Sequence, residues 1–272
     1  MQKRPFVTLA IAGALFVPQL VSAQFADAVI SYTSGTGFQP GYNTPGSALG
    51  EPSRITPGTF GGPVDPFNSA YLSSQLVSLG VGGSLTVQFN SPILNNPANP
   101  FGLDFNIFGN AGFVVTNALD ENWNYIGTPR TAGSLYGSDA TSTRVSVSAD
   151  GVNFFTLNAS LAPLVDGLFP TDGSGDFGLP VNPALKADSF AGQDLLGIRS
   201  LYQGSGGGRG FDISWAEDGL GNSVLLGSIS FVRVEVLSGN AEIDGFAVVP
   251  EPASASLLLL GCVVCWSFRR GQ

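Results

Sequence analysis

The sequence predicts an all-β protein, in which a jelly-roll-like β-sandwich carries long loops rich in glycine and proline. Apolar and polar residues alternate in several short segments, and 37 glycines and 18 prolines supply turn signals between them. Helical periodicity is scarce. Alternation with a period of two places successive side chains on opposite faces of a strand. Many short strands separated by turns are typical of sandwiches and jelly rolls.

Strand segments can be assigned along most of the chain. Alternation predicts four strands, each with one buried face, at residues 84–89, 103–107, 144–148 and 232–236. A last strand is predicted at residues 241–249. Asp150-Gly151 predicts a hairpin between the third of these strands and the apolar run that follows, because Asp-Gly favours a two-residue turn.

One short helix is predicted between Phe190 and Tyr202, where Leu195, Ile198 and Tyr202 have helical spacing. A long segment rich in glycine, proline and aspartate, residues 159–188, precedes it. Loops of this length in compact domains are usually functional or mobile.

The N-terminal segment has the three-part pattern of a secretory signal. Lys3 and Arg4 give a positive start, residues 6–17 are mostly apolar, and small or short side chains end at Ala23. The apolar part is too short to cross a bilayer as a helix. We therefore predict a signal peptide over residues 1–23, cleaved after Ala23; the alternative is a buried N-terminal helix.

The C-terminal segment is a second targeting candidate. It consists of Pro250, Glu251 and Pro252, then the uncharged residues 253–268, then Arg269 and Arg270. The uncharged run predicts a transmembrane helix, and the paired arginines predict a cytoplasmic C-terminus. This divides the chain into the signal peptide, one domain at residues 24–249 and a tail at residues 250–272.

A Pro-Glu-Pro motif, an apolar helix and a terminal arginine pair resemble the PEP-CTERM sorting signal of Gram-negative bacteria. The resemblance implies an exosortase-type processing enzyme as a partner, a membrane contact through the tail before processing, and a location in the cell envelope, at the cell surface or in the extracellular matrix. It also implies an association with exopolysaccharide. The alternative is an ordinary C-terminal membrane anchor.

The body resembles an uncharacterised family of bacterial cell-surface proteins with a galactose-binding-like jelly roll. The motifs that carry this resemblance are Ala48 to Pro52, Val77 to Ser84, Asp104 to Phe108, Gly207 to Ile213 and Glu242 to Phe246. Gly109 stands where the family has an acidic residue, which weakens any metal site carried over. The resemblance implies no particular activity.

Composition excludes several functions for the body. Residues 24–249 contain seven Lys+Arg and 19 Asp+Glu, which gives a net charge of −12. Such a surface repels nucleic acid, so no nucleic-acid partner is expected. The chain has no histidine, which excludes a Ser-His-Asp hydrolase, and Cys262 and Cys265 both lie in the tail. The body therefore has no disulfide and no Cys or His ligand for zinc.

The many carboxylates of the body favour calcium over other metals. A structural calcium ion is therefore the one cofactor that the sequence suggests. The candidate ligands are Asp104, Asp212, Glu242 and Asp244. Glu242 and Asp244 lie two residues apart, so we expect them on one strand face. A glycine-rich turn from Asp172 to Asp176 also carries two carboxylates. The alternative for all of them is solvated loop carboxylates and N-caps.

Aromatic residues suggest a ligand. Trp123 and Tyr125 lie among polar residues and could stack on a sugar ring, although aromatics in a sandwich more often belong to the core. We therefore expect a carbohydrate- or protein-binding module and not an enzyme. The expected partner is exopolysaccharide or another surface protein. A purely structural matrix component is the alternative, and a polysaccharide hydrolase, which needs two facing carboxylates, is a weaker one.

Overall fold

The computed structural model describes residues 24–122, 124–137 and 142–251, and these residues belong to one compact unit. The strands within them are β1 Ala28–Thr33, β2 Ile55–Thr56, β3 Gly62–Pro63, β4 Val77–Leu79, β5 Ser84–Leu94, β6 Phe105–Gly109, β7 Gly112–Val115, β8 Thr131–Tyr136, β9 Ser142–Ser148, β10 Phe155–Leu157, β11 Arg209–Phe211, β12 Ala216–Glu217, β13 Ser228–Ser238 and β14 Ala241–Val248. The α-helix is α1, Leu195–Tyr202. Short 3₁₀-helices occur at Pro45–Ala48, Pro100–Gly102, Ala187–Phe190 and Ile213–Trp215.

Antiparallel sheets dominate the structure. One sheet has six strands in the order β1-β5-β13-β9-β10-β12, and a second has four in the order β11-β6-β14-β4. Two ribbons, β2-β3 and β7-β8, complete the pairings of the named strands, all of which are antiparallel. The prediction of a predominantly β protein is confirmed.

The two larger sheets share one hydrophobic core. In β13, Val232, Val234 and Val236 are buried, whereas the residues between them are half-buried. Val87 of β5 lies opposite Val232 in the register and belongs to the same cluster, as does Phe246 of the four-stranded sheet. Alternation therefore predicted the inward face of the six-stranded sheet correctly. The hairpin at Asp150-Gly151 is also confirmed, because β9 pairs with β10.

The four-stranded sheet is covered on both faces, contrary to the expectation of one buried face. β6 begins at Phe105, two residues later than predicted, and buries Asn106 as fully as its apolar neighbours. Part of the cover is the long segment 159–188. The Phe177 ring packs against Phe108 at a centroid distance of 5.0 Å, and the Asn106 side-chain amide donates to the Phe177 carbonyl at 2.9 Å. The segment is therefore part of the packed structure.

A second, aromatic core lies beside the sheets. Phe113, Phe169, Phe190 and Tyr202 pack together with ring-centroid distances of 4.8–6.4 Å. Tyr202 is the last residue of α1, so this cluster buries one face of the helix. The predicted helix is confirmed with a later start, because the Asp194 carboxylate caps it by accepting the Gly197 N–H.

Within the described ranges, no helix is long and apolar enough to cross a membrane. The predicted signal peptide, residues 1–23, and the predicted tail from residue 252 onward lie outside these ranges.

The aromatic core yields a stability prediction. Phe190→Ala removes a fully buried ring that contacts Phe113, Phe169 and Tyr202, and we expect it to lower the free energy of unfolding by about 3–5 kcal/mol. The matched control is Phe60→Ala, because the Phe60 ring is 89% exposed. Urea denaturation measures both. Equal losses for the two variants would contradict the assignment of this core.

Candidate functional site

A β-ribbon arm projects from the body between β7 and β8. We call residues 116–130 the arm. Its two sides are joined by backbone hydrogen bonds, from the Thr116 N–H to the Arg130 carbonyl and from the Ile126 N–H to the Ala118 carbonyl, both 2.8 Å. The Asn117 side chain crosses the arm and donates to the Ile126 carbonyl at 2.9 Å. Most of the described residues of the arm are exposed.

The base of the arm is anchored firmly. Phe113 of β7 is fully buried in the aromatic core. Arg130 donates from Nη1 to the Gly192 carbonyl at 2.6 Å, just before α1. Gly133 of β8 has φ +91°, and a Cβ there would lie 2.2 Å from the Ala187 carbonyl oxygen, so only glycine fits. A rigid base of this kind fixes the direction of the arm.

Apolar side chains on the arm face solvent. Leu119 is 43% exposed, Tyr125 46% and Ile126 60%. Leu119 and Tyr125 face each other across the ribbon as a β-bridge. Of the two aromatic residues predicted to bind a ligand, Tyr125 therefore lies on an exposed ribbon, and Trp123 lies outside the described residues. Leu119 and Ile126 are additions that the sequence analysis missed.

Near the tip of the arm, one carboxylate accepts hydrogen bonds from the backbone. Asp120 accepts the backbone N–H groups of Asn122 and Asn124 at 2.8 and 2.9 Å. These hydrogen bonds, the one from Asn124 first, hold the pKa of Asp120 below its usual value. The arm therefore combines apolar side chains with a charged carboxylate and amide groups. This mixture suits a sugar, because a ring face can stack on Tyr125 while hydroxyl groups meet polar side chains.

The predicted calcium ligands Asp104 and Asp212 lie close together. Asp104 is completely buried and accepts the N–H groups of Asn96 and Ile213 at 3.0 and 2.9 Å. Asp212 accepts the Ser214 N–H at 2.7 Å and caps a 3₁₀-helix. Burial is the main reason that the pKa of Asp104 rises to about 6, and the nearby Asp212 charge adds to it.

Glu242 and Asp244 are held by different partners. The Asp244 carboxylate accepts the Ser53 N–H at 2.9 Å and the Ser53 hydroxyl at 2.7 Å. Glu242 accepts a hydrogen bond from the Asn110 side-chain amide. No group of three or more Asp, Glu, Cys or His side chains positioned to hold a metal occurs in residues 24–122, 124–137 and 142–251. The structural calcium ion stays a prediction.

The Asp172–Asp176 turn carries an ion pair. Asp172 is 2% exposed at its side chain and pairs with Arg199 of α1, with Nε at 2.7 Å. The same carboxylate accepts the Ser174 N–H at 3.0 Å. The turn therefore joins the covering segment 159–188 to the helix. Sequence analysis missed the pair, because 27 residues separate its members and no periodicity links them.

Two carboxyl groups with raised pKa values lie away from the surface. Asp104 and Asp244 are 0% and 2% exposed, and donors from the backbone, Ser53 and the Asn99 side chain occupy their oxygens. Perturbed carboxyl groups often mark catalytic sites, but they do so in clefts. Here both groups tie loops to the four-stranded sheet, and the arm is the better candidate for a functional site.

No protein-family model and no curated protein sequence matches the chain.

Asp244 yields a prediction for pH. Burial raises its pKa to about 7, against about 3.9 in an unfolded chain. The folded protein therefore binds the proton more tightly, so the free energy of unfolding falls as pH rises from about 4 to about 7, by about 4 kcal/mol for this group. We expect greater stability at pH 5 than at pH 8 in urea denaturation, and a smaller difference in Asp244→Asn.

The control is Asp120→Asn. The Asp120 pKa lies below its usual value, so its contribution to stability is lost only at lower pH and the trend between pH 5 and pH 8 stays the same. Stability that rises from pH 5 to pH 8, or an unchanged trend in Asp244→Asn, would contradict the assignment.

Proposed function

We propose that this chain is an exported cell-surface or extracellular-matrix protein that binds a carbohydrate or another surface protein through its arm, without catalysis. The observation that carries the proposal is the exposure of Leu119, Tyr125 and Ile126 on a ribbon whose base is buried. Exposed apolar groups clustered on one projecting element favour an interaction site, since single scattered ones need no explanation.

The fold proposed with this function is a jelly-roll-like β-sandwich. Its support is a shared core between a six-stranded and a four-stranded antiparallel sheet. In such architectures the strands form a rigid scaffold, and binding residues lie on the connections between them. The arm is a connection of this kind, between β7 and β8, and its anchored base limits the entropy lost when a ligand binds.

Export and sorting form the second part of the proposal. Its support is the sequence pattern of a signal peptide at residues 1–23 and of Pro250, Glu251 and Pro252 ahead of an uncharged segment. The motif follows β14 by one residue, Val249, so the folded body ends where the proposed processing site begins. The partner is an exosortase-type membrane enzyme, and the compartment is the cell envelope or the matrix beyond it.

Tyr125→Ala tests the arm. We expect a loss of affinity of about fivefold to thirtyfold for the native exopolysaccharide, because stacking of an aromatic ring on a ligand contributes on the order of 1–2 kcal/mol. Calorimetry or a glycan array measures it. Phe60→Ala, at an exposed ring in the β2–β3 hairpin, is the matched control and keeps full affinity.

Three outcomes decide between the hypotheses for the arm. Saturable binding that Tyr125→Ala weakens supports the binding module. Absence of saturable binding by the unaltered protein favours a structural matrix component. Release of reducing sugar from the exopolysaccharide would overturn the non-catalytic assignment in favour of a hydrolase.

Substitution of Pro250, Glu251 and Pro252 by alanine tests the sorting proposal. We expect the variant to keep a larger mass than the mature wild-type protein and to stay in the membrane fraction, because the processing enzyme no longer recognises the site. Mass spectrometry and cell fractionation measure this. If mass, processing and location all match the wild type, the sorting proposal is wrong.

A further inference from the structure

Both ends of the described chain leave the body at the same place. The Gln24 carbonyl accepts the Val248 N–H at 2.8 Å, and Phe25 forms a bridge with Ala247. One residue further, the Val249 N–H donates to the Asp104 carbonyl at 2.9 Å. The N-terminal residue of the body and the end of β14 are therefore neighbours. We call this end of the two sheets the terminal end.

The register brings several loops to the terminal end. Leu94, the last residue of β5, pairs with Ser228, the first residue of β13. Phe231, near the start of β13, pairs with Ser148 at the end of β9, which leads into the 150–153 turn. Thr156 of β10 pairs with Glu217 of β12, so the adjoining turn at residues 218–222 lies on the same side. These loops form one row across the strand ends of the six-stranded sheet.

A large apolar side chain is exposed on each of these loops or, for Leu94, at the strand end beside one. The exposed fraction is 49% for Leu94, 80% for Val152, 88% for Leu220 and 92% for Leu225. Leu220 and Leu225 are among the most exposed large apolar residues in the described part of the chain. Water solvates such side chains poorly, so a row of them at one end indicates a surface that something apolar covers.

The turns that hold these side chains are ordered. Asp150 accepts the N–H groups of Val152 and Asn153, both at 2.8 Å. Asp218 accepts those of Leu220 and Asn222 at 2.8 and 2.9 Å in the same manner. The carboxylates therefore fix Val152 and Leu220 at the tips of short turns.

A groove of about 530 Å³ lies at the terminal end, lined by Leu225, Leu226 and Pro97 together with Asn95 and Asp212. The Asn95 side chain donates to the Leu226 carbonyl at 2.9 Å and holds the groove wall in place.

The groove adjoins the exit of the C-terminal segment. Asn96, next to the groove residue Asn95, donates from its side chain to Glu251. The uncharged segment begins at residue 253, and two residues of chain reach at most about 7 Å. A bilayer that this segment enters is therefore within contact distance of the terminal end.

We propose that the terminal end rests on the surface of a lipid bilayer, with Leu94, Val152, Leu220 and Leu225 reaching among the headgroups. The proposal rests on the proposed membrane entry of the C-terminal segment. Two independent features coincide here, the last described residue before an uncharged segment and four exposed aliphatic side chains. Before the tail is processed, the contact holds the body in one orientation, with its ordered turns against the membrane.

Charge at the terminal end specifies the lipid. Asp150, Asp212, Asp218 and Glu251 lie on its loops, and Glu217 is the last residue of β12 beside them. Carboxylates repel anionic headgroups, whereas zwitterionic headgroups carry no net charge. The surface is therefore suited to phosphatidylcholine- or phosphatidylethanolamine-type lipid, and anionic lipid weakens the contact.

Hydrogen exchange on the full chain tests the proposal. The protein is incorporated through its tail into phosphatidylcholine nanodiscs, and amide exchange is compared with the same protein in detergent. We expect exchange at residues 218–227 and 150–153 to slow by about tenfold, because contact with lipid suppresses local opening. Leu220→Gln with Leu225→Gln abolishes this slowing. Leu196→Gln, at a residue of α1 that is 76% exposed, leaves it unchanged.

The outcomes distinguish the membrane contact of the terminal end from the membrane entry of the C-terminal segment. Slowing in phosphatidylcholine that weakens when half of the lipid is phosphatidylglycerol supports the membrane contact. Incorporation into nanodiscs with unchanged exchange in these turns overturns the contact and leaves the membrane tail standing. Failure of the full chain to incorporate overturns both.

Discussion

Burial of β14 on both faces is the constraint on which the rest of the structure depends. Its inner face contributes Ile243 and Phe246 to the core shared by the two sheets. On its outer side, the Asp244 carboxylate binds Ser53 and Ala247 packs near Phe25. The cover on this outer side therefore comes from the first residues of the body and from the segment before β2, both of which are distant from β14 in the sequence.

This arrangement separates a rigid body from its exposed elements. The packed sheets and the aromatic core support the base of the arm. Ordered turns hold the apolar side chains of the terminal end. The two surfaces differ in chemistry. The arm mixes Tyr125 with a carboxylate and amides, which suits a polar ligand with apolar faces, whereas the terminal end concentrates aliphatic side chains next to the exit of an uncharged segment.

The sequence predicted correctly those strands that bury only one face. Val232, Val234 and Val236 alternate with half-buried residues, so the period of two identified β13 directly. For β6 the alternation predicted a strand but missed its second buried face, because the cover over Asn106 comes from Phe177, 71 residues away, and no local pattern encodes that contact. The start of α1 was missed by a few residues, although Asp194 is a recognisable N-cap.

Only part of the candidate site could be predicted from the sequence. Polar residues around Tyr125 indicated exposure, and the structure places that ring on an exposed ribbon. Leu119 joins it across the ribbon through a bridge that depends on register, which sequence alone does not fix. The burial of Asp104 and Asp244 depends on loops far away in the chain, so their carboxylates resembled surface ligands in the sequence.

An NMR titration of the protein with oligosaccharides from the native exopolysaccharide tests directly whether the arm binds the ligand. We expect chemical-shift changes to concentrate in residues 116–130 and the β2–β3 hairpin to stay unperturbed. Saturable shift changes elsewhere on the body, with none in the arm, would contradict it.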